Sequence, residues 1–345
     1  MRRELTVVPR SNSSANGHEP CFFKSRTVAD CILGRSSRRP RNHARRFTRP
    51  RLSLPKSAAV PTVASVSARL TILASGSSGN CAYLETEDVR LLIDAGLSAR
   101  QIRQRLLAIG RTPENLNGIL ITHEHTDHTQ GLGVLAGKLQ IPVYCNRLTK
   151  EAIQTQFQVP LDFHLFTTGA TFELGNISID TFSVPHDAYD PVGFLLRTPS
   201  GNIGFLTDLG HATRLVIERV RASHALVLEA NHCVKMLQDD TRRPWATKQR
   251  ILSRHGHLSN DAAAQLAAEI MTAELRHLYL GHLSSDCNRP ALAQSVVNAA
   301  LQHIGARHAT VEATSPDTPC ATLTLDRAAM PAAGSEVVSA VQGAV

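Results

Sequence analysis

The feature that most constrains this chain is the hexapeptide His123-Glu124-His125-Thr126-Asp127-His128, which directly follows the apolar run Ile119-Leu120-Ile121-Thr122. In extended backbone, side chains 123, 125 and 127 project to one side because a strand repeats every two residues. On a helix, positions two apart diverge by about 200°. The cluster is therefore expected at a strand end and in the loop beyond it. The HExxH spacing of zinc peptidases is not met, since position 127 is Asp. Three imidazoles and a carboxylate in six residues suit a borderline ion such as Zn²⁺, Mn²⁺ or iron.

The rest of the chain agrees with metal chemistry. It carries 16 histidines, 14 of them beyond residue 100. Its seven cysteines are scattered and form no CxxC pair, which excludes a cysteine zinc site and points to a reducing, cytoplasmic setting. No run of eighteen apolar residues exists, so a transmembrane helix is not expected.

From Arg69 onward, strand and helix signals alternate. Strands are expected at 69–75, 82–84, 89–94, 118–122, 141–145, 177–184, 192–198, 202–208, 225–230, 275–282 and 321–325. Helices are expected at 98–110, with Ser98 as N-cap and Gly110 as stop, and at 260–273 and 290–305. This predicts one α/β domain over 69–326, followed by a loose Ala/Gly-rich tail at 327–345.

Residues 1–68 differ in kind. Residues 1–56 hold fourteen Lys/Arg against three acids, a local excess of +11 within a chain total of +8. Residues 57–345 are then mildly acidic, with 23 bases and 26 acids. Segment 35–51 cannot bury enough apolar surface to fold, so a disordered basic extension is expected. It reads as a transit peptide, a nucleic-acid-binding arm, or translated sequence upstream of the true start. The last is favoured because the folded pattern begins abruptly at Arg69, although no methionine lies near it.

The hexapeptide, together with His186 after a strand, Asp208 ending Asn202-Ile203-Gly204-Phe205-Leu206-Thr207-Asp208, and His282 ending 275–282, resembles the metallo-β-lactamase superfamily over about 69–326. The resemblance implies a four-layer αβ/βα sandwich with the site at one edge of two sheets. It implies two divalent ions, Zn²⁺ or Mn²⁺. One is held by His123, His125 and His186, the other by Asp127, His128 and His282, with Asp208 bridging. Asp94, which ends 89–94, would hold the ligands from behind. It reads equally as a cap for the helix that follows.

The turn Ser75-Gly76-Ser77-Ser78-Gly79-Asn80, the stretch Glu229-Ala230-Asn231-His232 and the segment Gly256-His257-Leu258-Ser259-Asn260 resemble the YycJ/WalJ group, metal-dependent phosphodiesterases or exonucleases acting on DNA. By that resemblance Ser77, Ser78, Asn80, Asn231, Ser259 and Asn260 touch substrate. The 75–80 turn is either a nest for phosphate or a plain tight turn. His257 is either the group that protonates the leaving oxygen or a loop residue before a helix capped by Ser259 or Asn260. Arg242, Arg243, Lys248, Arg250 and Arg254 surround Trp245 with no acid among them, as a solvated loop or a phosphate and base contact.

The expected activity is phosphodiester hydrolysis, best a DNA exonuclease using a metal-bridging hydroxide, with Asp127, Asp208 and His257 as catalytic groups. A small-molecule hydrolase for a cyclic phosphodiester, thioester or lactone fits the same ligands. A non-enzymatic binding protein fits poorly, because every ligand position holds a competent residue.

Overall fold

Alternating side chains along each strand are divided between different cores, and this division lays out the fold. The structure is a computed structural model and describes residues 67–157 and 159–326. The first six strands are β1 (Ser67–Ala74), β2 (Cys81–Glu85), β3 (Arg90–Ile93), β4 (Gly118–Leu120), β5 (Val143–Cys145) and β6 (Phe163–Leu165). They lie side by side in one sheet. A second sheet holds β7 (Thr171–Leu174), β8 (Ile177–Ser183), β9 (Val192–Thr198), β10 (Gly201–Leu206), β11 (Ala225–Glu229), β12 (His277–Gly281) and β13 (Thr310–Ala313). The chain then returns as β14 (Leu323–Asp326) to pair with β1, so each sheet has seven strands.

The helices are α1 (Ala99–Ala108), α2 (Thr126–Thr129), α3 (Leu132–Leu139), α4 (Arg147–Gln156), α5 (Arg214–Val220), α6 (Val234–Asp239), α7 (Trp245–Ile251), α8 (Asn260–Ile270) and α9 (Pro290–His303). On β3, Leu91 and Ile93 face the second sheet while Leu92 packs toward α1 and α3. On β11, Ala225 and Val227 face the first sheet while Leu226 and Leu228 pack against α5, α8 and α9. The result is helix, sheet, sheet, helix, the four-layer sandwich expected.

Each sheet has three antiparallel pairings at one side and three parallel ones at the other. Parallel pairing needs a crossover, usually a helix, and leaves the strands' carboxyl ends together at one edge, where ligands bind in such folds. β3, β4, β10, β11 and β12 all deliver residues to that edge.

Local expectations fared unevenly. Ser98 caps α1 in a reciprocal box: its Oγ accepts from Gln101 N–H at 3.3 Å, and Gln101 Oε1 accepts from Ser98 N–H at 3.2 Å. β1 begins at Ser67, two residues before the expected start, because Ser67 and Ala68 pair with Asp326 and Leu325. Of the expected extension at 1–68 all but Ser67 and Ala68, which join β1, lies outside the described residues, as does the tail at 327–345. α7 replaces the basic loop expected at 242–254. No helix among the described residues is long and apolar enough to cross a membrane.

One glycine ties the fold to the site. Gly96 N–H donates to the Asn80 carbonyl, and Asn80 N–H donates to the Asp127 carbonyl, each at 2.8 Å. A Cβ at Gly96 would stand 1.6 Å from the Asp127 oxygen. Gly96→Ala is therefore expected to destabilise the protein by about 3 kcal/mol, the upper end for overpacking, and to loosen metal retention. Thermal unfolding and metal content after dialysis check both.

Candidate active site

Three strand ends place their terminal side chains by an unusual backbone turn. Asp94 after β3, Asp208 after β10 and His282 after β12 have φ of 59°, 56° and 53°. Non-glycine residues avoid this left-handed region, at a cost of roughly 1–3 kcal/mol each, and it recurs where function demands an awkward direction. The fourth such residue, Gln140, merely ends α3.

The hexapeptide splits in two, which corrects the expectation that 123, 125 and 127 project together. His123 and His125 lie in extended loop, but His125 is the N-cap of α2, and Asp127 and His128 ride on that helical turn. The turn swings them away from the first two histidines. Metal-ligand atoms of His123, His125 and His186 form one group, and those of Asp127, His128, Asp208 and His282 another, each within 4.8 Å. Asp208 faces both groups: Oδ1 is 3.7 Å from His186 Nε2 and Oδ2 is 3.1 Å from His128 Nε2. Its buried Oδ2 makes no well-directed hydrogen bond and has the His128 ring nitrogen as its close neighbour, an environment that favours a cation.

The histidine tautomers follow from what stands behind each ring. His186 Nδ1 faces the Gly256 carbonyl at 3.1 Å, and a carbonyl only accepts, so Nδ1 carries the hydrogen and Nε2 offers its lone pair. His128 Nδ1 is 2.7 Å from Asp94 Oδ2, and His282 Nδ1 is 2.8 Å from Glu229 Oε1. His123 Nδ1 reaches Thr122 Oγ1 at 3.0 Å, whose hydroxyl in turn bonds Asp94. His123 Nε2 and His186 Nε2 then meet His125 Nδ1 at 3.0 and 3.3 Å. Nitrogens aimed at one another in this way, with His123, His128, His186 and His282 each backed by an acceptor, are the arrangement of metal-ligating histidines. The residues therefore fit divalent ions. Asp94 stands behind His128 and Thr122, not as the cap of α1.

Charge follows the same plan. Burial opposes a charge on His128, but Asp208, Asp94 and Asp127 outweigh it and hold its pKa well above the usual value. His282 is likewise raised against burial, by Asp208, Asp127 and Glu229. Burial, aided by His128, pushes His123 well below its usual value. Burial would lift Asp208, yet His282 and His128 pull it well below the carboxylate range. Protons on His128 and His282 thus balance the carboxylates where ions would otherwise do so.

Sequence reasoning noticed Glu229 but gave it no role. Glu229 is completely buried and accepts four hydrogen bonds. Oε1 takes His257 Nδ1 at 2.7 Å and His282 Nδ1 at 2.8 Å, while Oε2 takes the Leu209 and Leu258 N–H groups at 3.0 Å. Burial would raise its pKa, but His257 and His282 hold it down to about 2. An acid ending the apolar run Ala225-Leu226-Val227-Leu228 was the available signal. His257, with Nδ1 committed to Glu229, stands in the cleft beside His186 and His282, 5.1 Å between ring centres in each case. Burial lowers its pKa and Glu229 more than restores it, so it is raised overall.

Of the residues expected to touch substrate, Ser77 lines the cleft. Ser78 is exposed on the same turn. The others are committed inside the fold, so substrate contact gives way to a supporting role. Asn80 Oδ1 accepts from Ser75 Oγ and Gly76 N–H, and its Nδ2 reaches His128 Nε2 at 3.1 Å. Asn231 Nδ2 donates to the His282 carbonyl at 2.8 Å. Ser259 caps α8 through Ala262 N–H, and the Asn260 amide bonds Asn288. Irregular backbone at strand ends must be satisfied by such amides and hydroxyls.

The basic run is largely neutralised from within. Arg242 and Arg243 pair with Asp240 and Asp286. Lys248 is buried and donates to the Gln238 carbonyl at 2.7 Å. Arg250 pairs with Asp187 at the cleft rim. Trp245 is exposed.

A family model described as a beta-lactamase superfamily domain matches residues 89–282. This chain belongs to the metallo-β-lactamase superfamily. Within it the chain is YycJ/WalJ-like. It is 38% identical to the exodeoxyribonuclease YycJ of Bacillus anthracis over 237 residues, 68% of this chain and 89% of that one. It is 40% identical to the exodeoxyribonuclease WalJ of Streptococcus pneumoniae over 239 residues, 68% of this chain and 88% of that one. Among solved structures, the metallo-β-lactamase fold protein YhfI from Bacillus subtilis is similar in fold, with a TM-score of 0.57 at 15% identity, over 74% of this chain and 99% of that one.

Two outcomes are expected. Asp94→Ala and Glu229→Gln should each weaken zinc or manganese binding about 10- to 100-fold, measured by chelator competition. Because His128 and His282 give up protons when an ion takes their place, metal binding should release protons and tighten as pH rises. Calorimetry in two buffers of different ionisation heat measures the release.

Proposed function

We propose that this chain is a metal-dependent exodeoxyribonuclease that hydrolyses phosphodiester bonds in the cleft at the sheet edges. The observation that carries the reading is buried Asp208, which belongs to the second donor group while its Oδ1 also lies 3.7 Å from His186 of the first. Single-ion sites have no need of such a carboxylate. The likeness to two exodeoxyribonucleases over nearly their whole length supports the choice of substrate. His123, His125 and His186 would hold one ion and Asp127, His128 and His282 the other, with Asp208 between. Zinc and manganese both suit this donor set.

Bound ions supply Lewis acidity toward phosphoryl oxygens and bring the pKa of a water toward neutrality. The chain's own groups do the rest. Asp127, the most exposed carboxylate of the second group, accepts a hydrogen bond from the attacking water and orients it. His257 is held by Glu229 so that Nε2 faces the cleft, and it donates a proton to the departing oxygen. Glu229 keeps that ring in place without touching substrate.

His125→Ala and Asp208→Ala should abolish hydrolysis of bis(p-nitrophenyl) phosphate. His257→Ala should cost little on that good leaving group and about 10²- to 10⁴-fold on DNA, where the leaving alkoxide needs a proton. Equal losses on both would remove His257 from the acid role. End-labelled single- and double-stranded DNA and RNA, incubated with Mn²⁺ or Zn²⁺, should yield a ladder from one end with DNA; a preference for RNA would overturn the substrate assignment.

A further inference from the structure

Beside the cleft a second groove opens. It is lined by Pro185, His186, Tyr189, Pro191, Leu215 and His255, with a volume of about 430 Å³. That lies within the range of ligand clefts, roughly 300–1,000 Å³. His186 lines both the groove and the cleft of the candidate ligands, so the two lie side by side. Tyr189 is 72% exposed and Leu215 47% exposed, which puts two large apolar side chains in water a few residues from a metal ligand.

The loop that carries Tyr189 is fixed on all sides. Asp187 pairs with Arg250 of α7. Tyr189 N–H donates to Glu124 Oε1 at 2.9 Å, and Glu124 is buried between the ligands His123 and His125. The Asp190 carbonyl accepts from Asn146 Nδ2, and Asp190 Oδ2 accepts from Thr168 Oγ1, both at 2.7 Å. Four segments of the chain thus lock a loop whose aromatic side chain is left in water. Nothing in the packing calls for that ring to be there. A rigidly displayed aromatic beside a phosphodiester site is what a base needs in order to stack, and stacking works for any base because each has a π face.

We propose that the groove between Tyr189 and Leu215 receives a nucleobase flanking the scissile phosphate, stacked on Tyr189 without being read. Glu124 is the positioning residue that ties this platform to the metal-binding motif. The proposal rests on the nuclease reading above. It assigns sequence-indifferent grip on one nucleotide to a side chain outside the metal centre.

The test uses the metal-loaded full chain with oligothymidylate and with methyl p-nitrophenyl phosphate, which has no base. Tyr189→Ala should raise KM for oligothymidylate by about 5- to 100-fold, the worth of one stacked base, and raise it far less for the small diester. Tyr189→Phe should restore the oligonucleotide KM. Removing one base next to the scissile bond should cost the wild type a similar factor, and that loss should not add to the loss from Tyr189→Ala. An unchanged KM in Tyr189→Ala, failure of Tyr189→Phe to rescue, or fully additive losses would overturn the inference. A wild-type chain that cleaves neither DNA nor RNA would overturn the nuclease reading itself, a distinguishable result.

Discussion

The structure depends on how one buried carboxylate is used. Glu229 sits at zero exposure, where an unpaired charge would cost several kcal/mol. Four donors from three places make it tolerable: the His257 ring and Leu258 N–H before α8, the His282 ring at the end of β12, and the Leu209 N–H after β10. Through Oε1 it fixes two histidines, His282 of the second donor group and His257 in the cleft. Through Oε2 it pins the backbone on which the neighbouring Asp208 turns. Removing it would leave two imidazoles free to rotate and two buried N–H groups without partners.

Asp94 repeats the device in the first sheet. It ends β3 in the same left-handed turn that Asp208 adopts after β10, and it backs His128 as Glu229 backs His282. The two sheets share a pairing pattern, so equivalent strand ends meet across the sandwich. Equivalence stops at the side chains: Asp94 backs His128 and Thr122, whereas Asp208 stands among the candidate ligands. Strain at these turns is tolerable because the strands beneath are fully buried on both faces.

Much of this was legible in the sequence. Long apolar strands and the Ser98 cap were visible because periodicity and capping are local properties. The seven candidate ligands were placed by order and strand-end position, and the fold brings all seven to one edge. What escaped depended on non-local geometry. Short strands such as β6 and β7 carry too little period to read. The helical turn at Thr126–Thr129 is set by Asp127 and His128 reaching a different group from His123. Asn80, Asn231, Ser259 and Asn260 looked like substrate contacts because polar residues beside a site look alike until their partners are known. Glu229 showed the reverse: its role appears only once His257 and His282, 28 and 53 residues away, are folded onto it.

Charge sets the remaining problem for a nucleic-acid enzyme of this kind. Proteins that grip a polynucleotide by its backbone release counterions and need several free cations to do so. Here residues 57–345 carry a slight acid excess, and the basic run around α7 is mostly spent on Asp240, Asp286, Asp187 and the Gln238 carbonyl. Long-range attraction is therefore weak, and the strand must be held close to the reacting phosphate. In the proposed arrangement, ions in the cleft would meet the phosphate and Tyr189 would meet a base. An enzyme that works from an end needs only those two contacts at each step, and a weak grip elsewhere lets the shortened strand move on.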